Sequence, residues 1–124
     1  MKNYDPQRAP DPTDWQHLDE SEQIELVLDF HRTHRIKLPN ARLHAAAHVI
    51  VENQILLGSE TPVAATLSRL MVEGLDRHDA VHAIGSVLSS VIWEVLQGKI
   101  SADPNAPYYQ ELGKLTAAGW RSQA

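Results

Sequence analysis

A chain of 124 residues and 13.8 kDa is sized for one compact domain rather than two. Hydrophobic residues make up 43% and charged residues 22%, with a net charge of −5, so the chain offers no broad basic footprint for nucleic acid. Seven His and no Cys exclude a disulfide, a thiolate nucleophile and a Cys-based zinc or iron–sulfur site, so any metal must be held by nitrogen and oxygen.

Met1 to Trp15 carries Pro6, Pro10 and Pro12, which predicts an extended arm, because proline opposes continuous helix. It reads either as a loosely attached tail or as an arm that wraps a neighbour through Tyr4 and Trp15. Its polar start has no signal-peptide core, and no apolar run approaches the roughly 20 residues of a membrane span. Neither a membrane nor a nucleic-acid partner is expected.

Asp19 and Glu22 form a capping-box pattern that opens a first helix, with Ile24, Val27, Leu28 and Phe30 at helical spacing and an end near His34. The basic residues His31, Arg32, His34, Arg35 and Lys37 then read as cations complementing the helix C-terminus, or as a small anion or nucleic-acid contact. Pro39-Asn40 opens a second helix from Ala41 to about Leu57, closed by Gly58 and apolar on nearly every side, which suits a central position. Thr61-Pro62 opens a third, with Leu67, Leu70 and Met71 as its stripe and Gly74 at its end. Asp76 caps a fourth, running to Gln97 and Gly98, with Val81, Ile84, Leu88, Val91, Ile92 and Val95 facing the core. A proline-bearing link, Ser101 to Pro107, leads to a last short helix around Tyr108 to Ala118. The fold class is therefore all-α. The expected form is a compact bundle of four main helices with a short C-terminal helix, occupying residues 16–124 behind an arm of residues 1–15.

Two helices each contain His-x-x-x-His: His44 and His48 on the second, His78 and His82 on the fourth. Residues four apart stack on one helix face, with β-carbons about 5–6 Å apart, so two imidazoles can reach one ion. Random placement of seven His yields roughly 0.3–0.4 such pairs, which makes two of them suggestive. Glu52, one further turn along, can join as a carboxylate ligand or as a general base. Both His stripes border apolar or small residues, and Gly85 with the run Ala45 to Ala47 would let the two helices approach closely. Facing stripes would converge four imidazoles and a carboxylate in the bundle, suited to zinc, iron, nickel or manganese, with copper also compatible. Asp76, Asp79 and Asn53 are the candidates for outer support. On the other reading these are structural histidines, hydrogen-bonded to Glu52, Asp79 or a backbone carbonyl.

His44 to Gln54, then Arg69-Leu70, then Gly74 to Gly85, resemble the bacterial family called domain of unknown function 1841, over roughly Leu28 to Leu96. The resemblance implies a bacterial, cytoplasmic protein and emphasises the same His, Glu and Asn; it implies no particular activity. A looser likeness in architecture is to the metal-dependent helical bundles of the damage-inducible protein family, which also draw His from two helices.

Two functions follow. One is a protein that binds a divalent transition metal through His44, His48, Glu52, His78 and His82, with hydrolysis by Glu52 and a metal-activated water as its possible chemistry. The other is a non-catalytic module that binds a protein partner or its own copy through Trp15, Tyr108, Tyr109 and Trp120, expected to be exposed at the two ends. Ser86 and Ser89 have no nucleophile elbow around them, and the six scattered glycines form no phosphate loop.

Overall fold

The computed structural model describes residues 1–36, 40–100 and 103–123. Among these the protein is all-α, with helices α1 (Pro12–Gln16), α2 (Glu20–Thr33), α3 (Ala41–Leu56), α4 (Val63–Val72), α5 (Arg77–Leu96), α6 (Asn105–Lys114) and α7 (Ala117–Gln123). A 3-10 turn, Gly58–Glu60, separates α3 from α4. Lys37 and Pro39, and the start of the link at Ser101, lie outside the described residues.

The caps sit where side-chain chemistry places them. Asp19 accepts from Glu22 N while the Glu22 carboxylate returns a bond to Asp19 N, closing the capping box on α2. Asn40 and Asp76 accept from the backbone three residues on and start α3 and α5. Gly58, Gly74 and Gly98 follow α3, α4 and α5 at positive φ, a conformation that stops a helix at little steric cost only for glycine. Pro62 is the N-cap of α4 rather than its first residue, and Thr61 Oγ1 accepts from Val63 N.

α3 packs against α2, α4 and α5, the central position its all-round apolar surface requires. One apolar cluster joins α3, α4, α5 and α6 around Val51, Leu70, Ile84 and Leu112. A second joins Tyr4, Trp15, Val27, Leu28, Ala45 and Val49. The N-terminal segment therefore departs from both expectations for it. It folds onto its own chain, with Tyr4, Pro6, Pro10 and Trp15 buried, and its last part is helical because Pro12 stands at N1, where its missing N–H costs nothing. Trp15 Nε1 donates to Asn53, Asn53 donates to Gln23, and Gln23 donates to the Trp15 carbonyl, which ties α1, α2 and α3 together.

Other expectations about surfaces are corrected. Trp15 and Tyr108 are buried, with Tyr108 OH donating to Gln54, while Tyr109 and Trp120 are half-buried. Ile92 and Val95 are exposed along with Trp93 and Leu96, because α6 covers only part of the distal half of α5. Met71 is exposed as well. The expected last helix is broken in two. Arg69 donates to the carbonyls of Leu112 and Leu115 at the end of α6, and Glu73 accepts from Ala117 N at the start of α7, so α4 satisfies both ends at the break. By length and composition α5 could cross a membrane, with a mean hydropathy of 1.3 over its most apolar window, but its buried residues pack into the bundle core.

Candidate metal centre

The two His-x-x-x-His pairs come together where α3 crosses α5, and a third helix adds to them. His31 of α2, His48 of α3, and His78 and His82 of α5 each offer a nitrogen, and these nitrogens all lie within 4.8 Å of one another. His44 stands beside them, its Nε2 2.9 Å from that of His82, and His78 Nε2 lies 3.1 Å from the same atom. Ring centroids are 4.7 Å apart for His48 and His82 and 5.1 Å for His31 and His48. A tetrahedral ion with nitrogen ligands at about 2.0–2.1 Å needs nitrogens roughly 3.3 Å apart, so sub-ångström to ångström shifts close this group around one.

Hydrogen bonding sets the state of two of these rings. His31 Nδ1 lies 2.8 Å from the Val27 carbonyl, which can only accept, so Nδ1 carries the proton and Nε2 is a bare lone pair. Tyr4 OH donates to Glu52 Oε2 at 2.5 Å, and its one proton is thereby used. His48 Nδ1, 3.1 Å from the same oxygen, must therefore donate to it, which again leaves Nε2 unprotonated. Both Nε2 atoms are buried and without a hydrogen-bond partner. Such an acceptor costs about 1–3 kcal/mol unless something occupies it.

Burial and the neighbouring imidazoles favour the neutral form of His44, His48, His78 and His82. Both effects depress His44 to about 4 and His82 to about 3, and they lower His48 and His78 as well. Neutral imidazole is the form that binds a metal.

Glu52 is placed differently from its expected role. Its Oε1 accepts from Arg77 at 2.7 Å and its Oε2 from Arg77 at 2.9 Å and from Tyr4, so both oxygens are committed and neither is free to bind an ion or take a proton. It acts through Tyr4 on His48. Arg77 and Glu52 are 6% and 1% exposed, and Arg77 also donates to the Pro6 carbonyl. Burial opposes the Arg77 charge, but the bonds and the charge of Glu52 more than offset this and raise its pKa. Asp76 is spent on capping α5, and Asn53 bonds Trp15 and Gln23, so neither touches an imidazole through these bonds.

The sequence reading placed His31 with the basic helix end and did not bring it to the site. Its spacing carried the signal, since Gln23, Val27 and His31 recur every four residues and all three are buried. Tyr4 and Arg77 had no local signal, because their roles arise from contacts 25 to 71 residues away in the chain.

A cleft of about 600 Å³ opens beside the imidazoles, lined by His44, His48 and His82 together with Leu43, Ser86 and Trp120, among others. No family model matches the chain, and neither does any curated protein or solved structure.

Two measurements test this geometry. Arg77→Ala strands the Glu52 charge and should lower the unfolding free energy by about 3–5 kcal/mol in urea denaturation, whereas Arg77→Met with Glu52→Leu should recover most of the loss. Equal losses for both variants would contradict the buried pair. In metal-free protein, unfolded histidines protonate near pH 6.5 while folded His44 and His82 stay neutral to about 4 and 3. The histidine contribution to stability is thus complete above pH 6.5 and is lost as pH falls towards 4. The urea midpoint should drop between pH 7 and pH 5, and an unchanged midpoint would refute neutral, crowded imidazoles.

Proposed function

We propose that the protein binds a divalent transition metal ion through His31, His48, His78 and His82, with His44 at the edge of the site. The observation that carries this reading is the pair of buried, unpartnered Nε2 atoms on His31 and His48, both members of one close group of imidazoles. A structural histidine buried for packing finds a second hydrogen bond, whereas a metal ligand keeps that position for the ion. The outer bonds fit the same reading. A ligating imidazole donates its other N–H to a carbonyl, as His31 does, or to an oxygen backed by a carboxylate, as His48 does through Tyr4 and Glu52. With Glu52 committed to Arg77, the donors are imidazoles alone, which favours zinc, copper, iron or nickel over manganese. Hydrolysis with Glu52 as base draws no support from this geometry, so any reaction would rest on the ion and the cleft.

The interaction-module reading is favoured by one surface, the distal end of α5, where Trp93 is 61% and Leu96 76% exposed.

Elemental analysis of tag-free protein should find close to one metal ion per chain, and His31→Ala or His48→Ala should abolish it while His17→Ala leaves it intact. Added zinc at 100 times its dissociation constant should stabilise the fold by about 2.7 kcal/mol. Less than about 0.1 ion per chain, with no rise in melting temperature on adding zinc, iron, nickel or copper, would overturn the proposal. For the second reading, light scattering should show concentration-dependent association that Trp93→Glu weakens; a strict monomer that recovers no partner would dismiss it.

A further inference from the structure

The cleft touches His44, His48 and His82 but not His31 or His78, so it opens on one side of the imidazole group. The opposite side is closed by the N-terminal segment, where Tyr4 meets His48 and Glu52, the Pro6 carbonyl meets Arg77, and Gln7 accepts from His78 N. The cleft therefore gives an approach to an ion held by the group from the side of His44, His48 and His82.

Charge decides what that ligand is. The donors are imidazoles, Glu52 is already paired with Arg77, and the carboxylates that act on His78 and His82 are Asp76, Asp79 and Asp5, with Asp76 spent on the cap of α5. A divalent ion held by imidazoles alone keeps a net positive charge in a half-buried setting, which favours an anionic additional ligand. Among the described residues that line the cleft, none is Asp, Glu, Lys or Arg. The walls differ in character. Leu43 and Trp120 are apolar, and Ser86, Ser89 and Ser90, all exposed on α5, supply hydroxyl donors. At about 600 Å³ the space falls within the range of small-molecule sites.

We infer that this cleft binds a small organic carboxylate, its charged end on the ion within reach of Ser86, one turn from His82, and its apolar body along the cleft against Leu43 and Trp120. The inference rests on the metal reading above and names the ligand class of that same site.

Cobalt(II)-loaded protein separates the two. Its visible absorption reports whether the ion is bound and whether its coordination changes. Titration with 3-phenylpropionate should shift the bands saturably, and the uncharged 3-phenylpropionamide at equal concentration should not. Ser86→Asp should weaken the carboxylate by about two- to fivefold and Ser86→Lys should tighten it by a similar factor, the effect of a partly screened charge. Ser89→Trp should fill the cleft and abolish the shift with cobalt still bound. Both serines are exposed, so these variants keep the fold. Bound cobalt whose spectrum ignores 3-phenylpropionate, or responds equally to acid and amide, overturns the carboxylate inference and leaves the metal reading standing. Failure to bind cobalt together with failure to bind zinc, iron, nickel and copper overturns both.

Discussion

The ion pair between Glu52 and Arg77 is the constraint on which the arrangement of the site depends. Glu52 lies one turn beyond His48 on α3, and Arg77 immediately precedes His78 on α5. Two parallel N–H···O bonds between a planar guanidinium and a carboxylate tolerate little rotation or sliding. Holding that pair therefore holds the register and the facing of both helices, and the imidazoles one turn away meet as a consequence. The same pair recruits the N-terminal segment through the Pro6 carbonyl and Tyr4. A buried pair is weak evidence for net stability, since two apolar residues can replace it at little cost. Its value here is geometric, because apolar residues would pack the same space without specifying which faces meet.

Crowding several imidazoles has its own energetic logic. Each ring would be charged by protonation, and each added charge would repel the others across about 5 Å of poorly solvated space. Burial favours the neutral form of His44, His48, His78 and His82, and the Nδ1 atoms of His31 and His48 bond outwards to Val27 and Tyr4. That leaves unpaired nitrogen lone pairs pointing inwards, a cost the fold carries at one place only among its described buried side chains. Uncompensated buried acceptors concentrated at a single point are a functional signature more than a packing one. The small residues alongside suit the same purpose. A side chain at Gly85 would meet Ala47 at 3.9 Å, so α3 and α5 run close without a steric clash.

Much of the architecture was readable from local chemistry. The capping box at Asp19 and Glu22, the caps at Asn40 and Asp76, and the glycines after α3, α4 and α5 bounded the helices, because each interaction spans four residues or fewer. The His pairs on α3 and α5 were readable for the same reason. Misplaced features share the opposite property. Ile92 and Val95 follow the apolar period of α5, yet periodicity cannot say how far along a helix its neighbour extends. The break between α6 and α7 depends on Arg69 and Glu73, more than 40 residues away.

The site divides along that same line. By itself the sequence determined that an all-α chain without Cys carries two stacked pairs of imidazoles, since i, i+4 geometry is intrinsic to a helix. Only the tertiary structure decided that His31 joins them, that Glu52 stands behind Tyr4 and pairs with Arg77, and that the first segment meets the site through Tyr4 and the Pro6 carbonyl. Those outcomes follow from which helix faces are brought together and from where a buried charge finds its only partner. Both are set by contacts distant in the chain, which local periodicity does not encode.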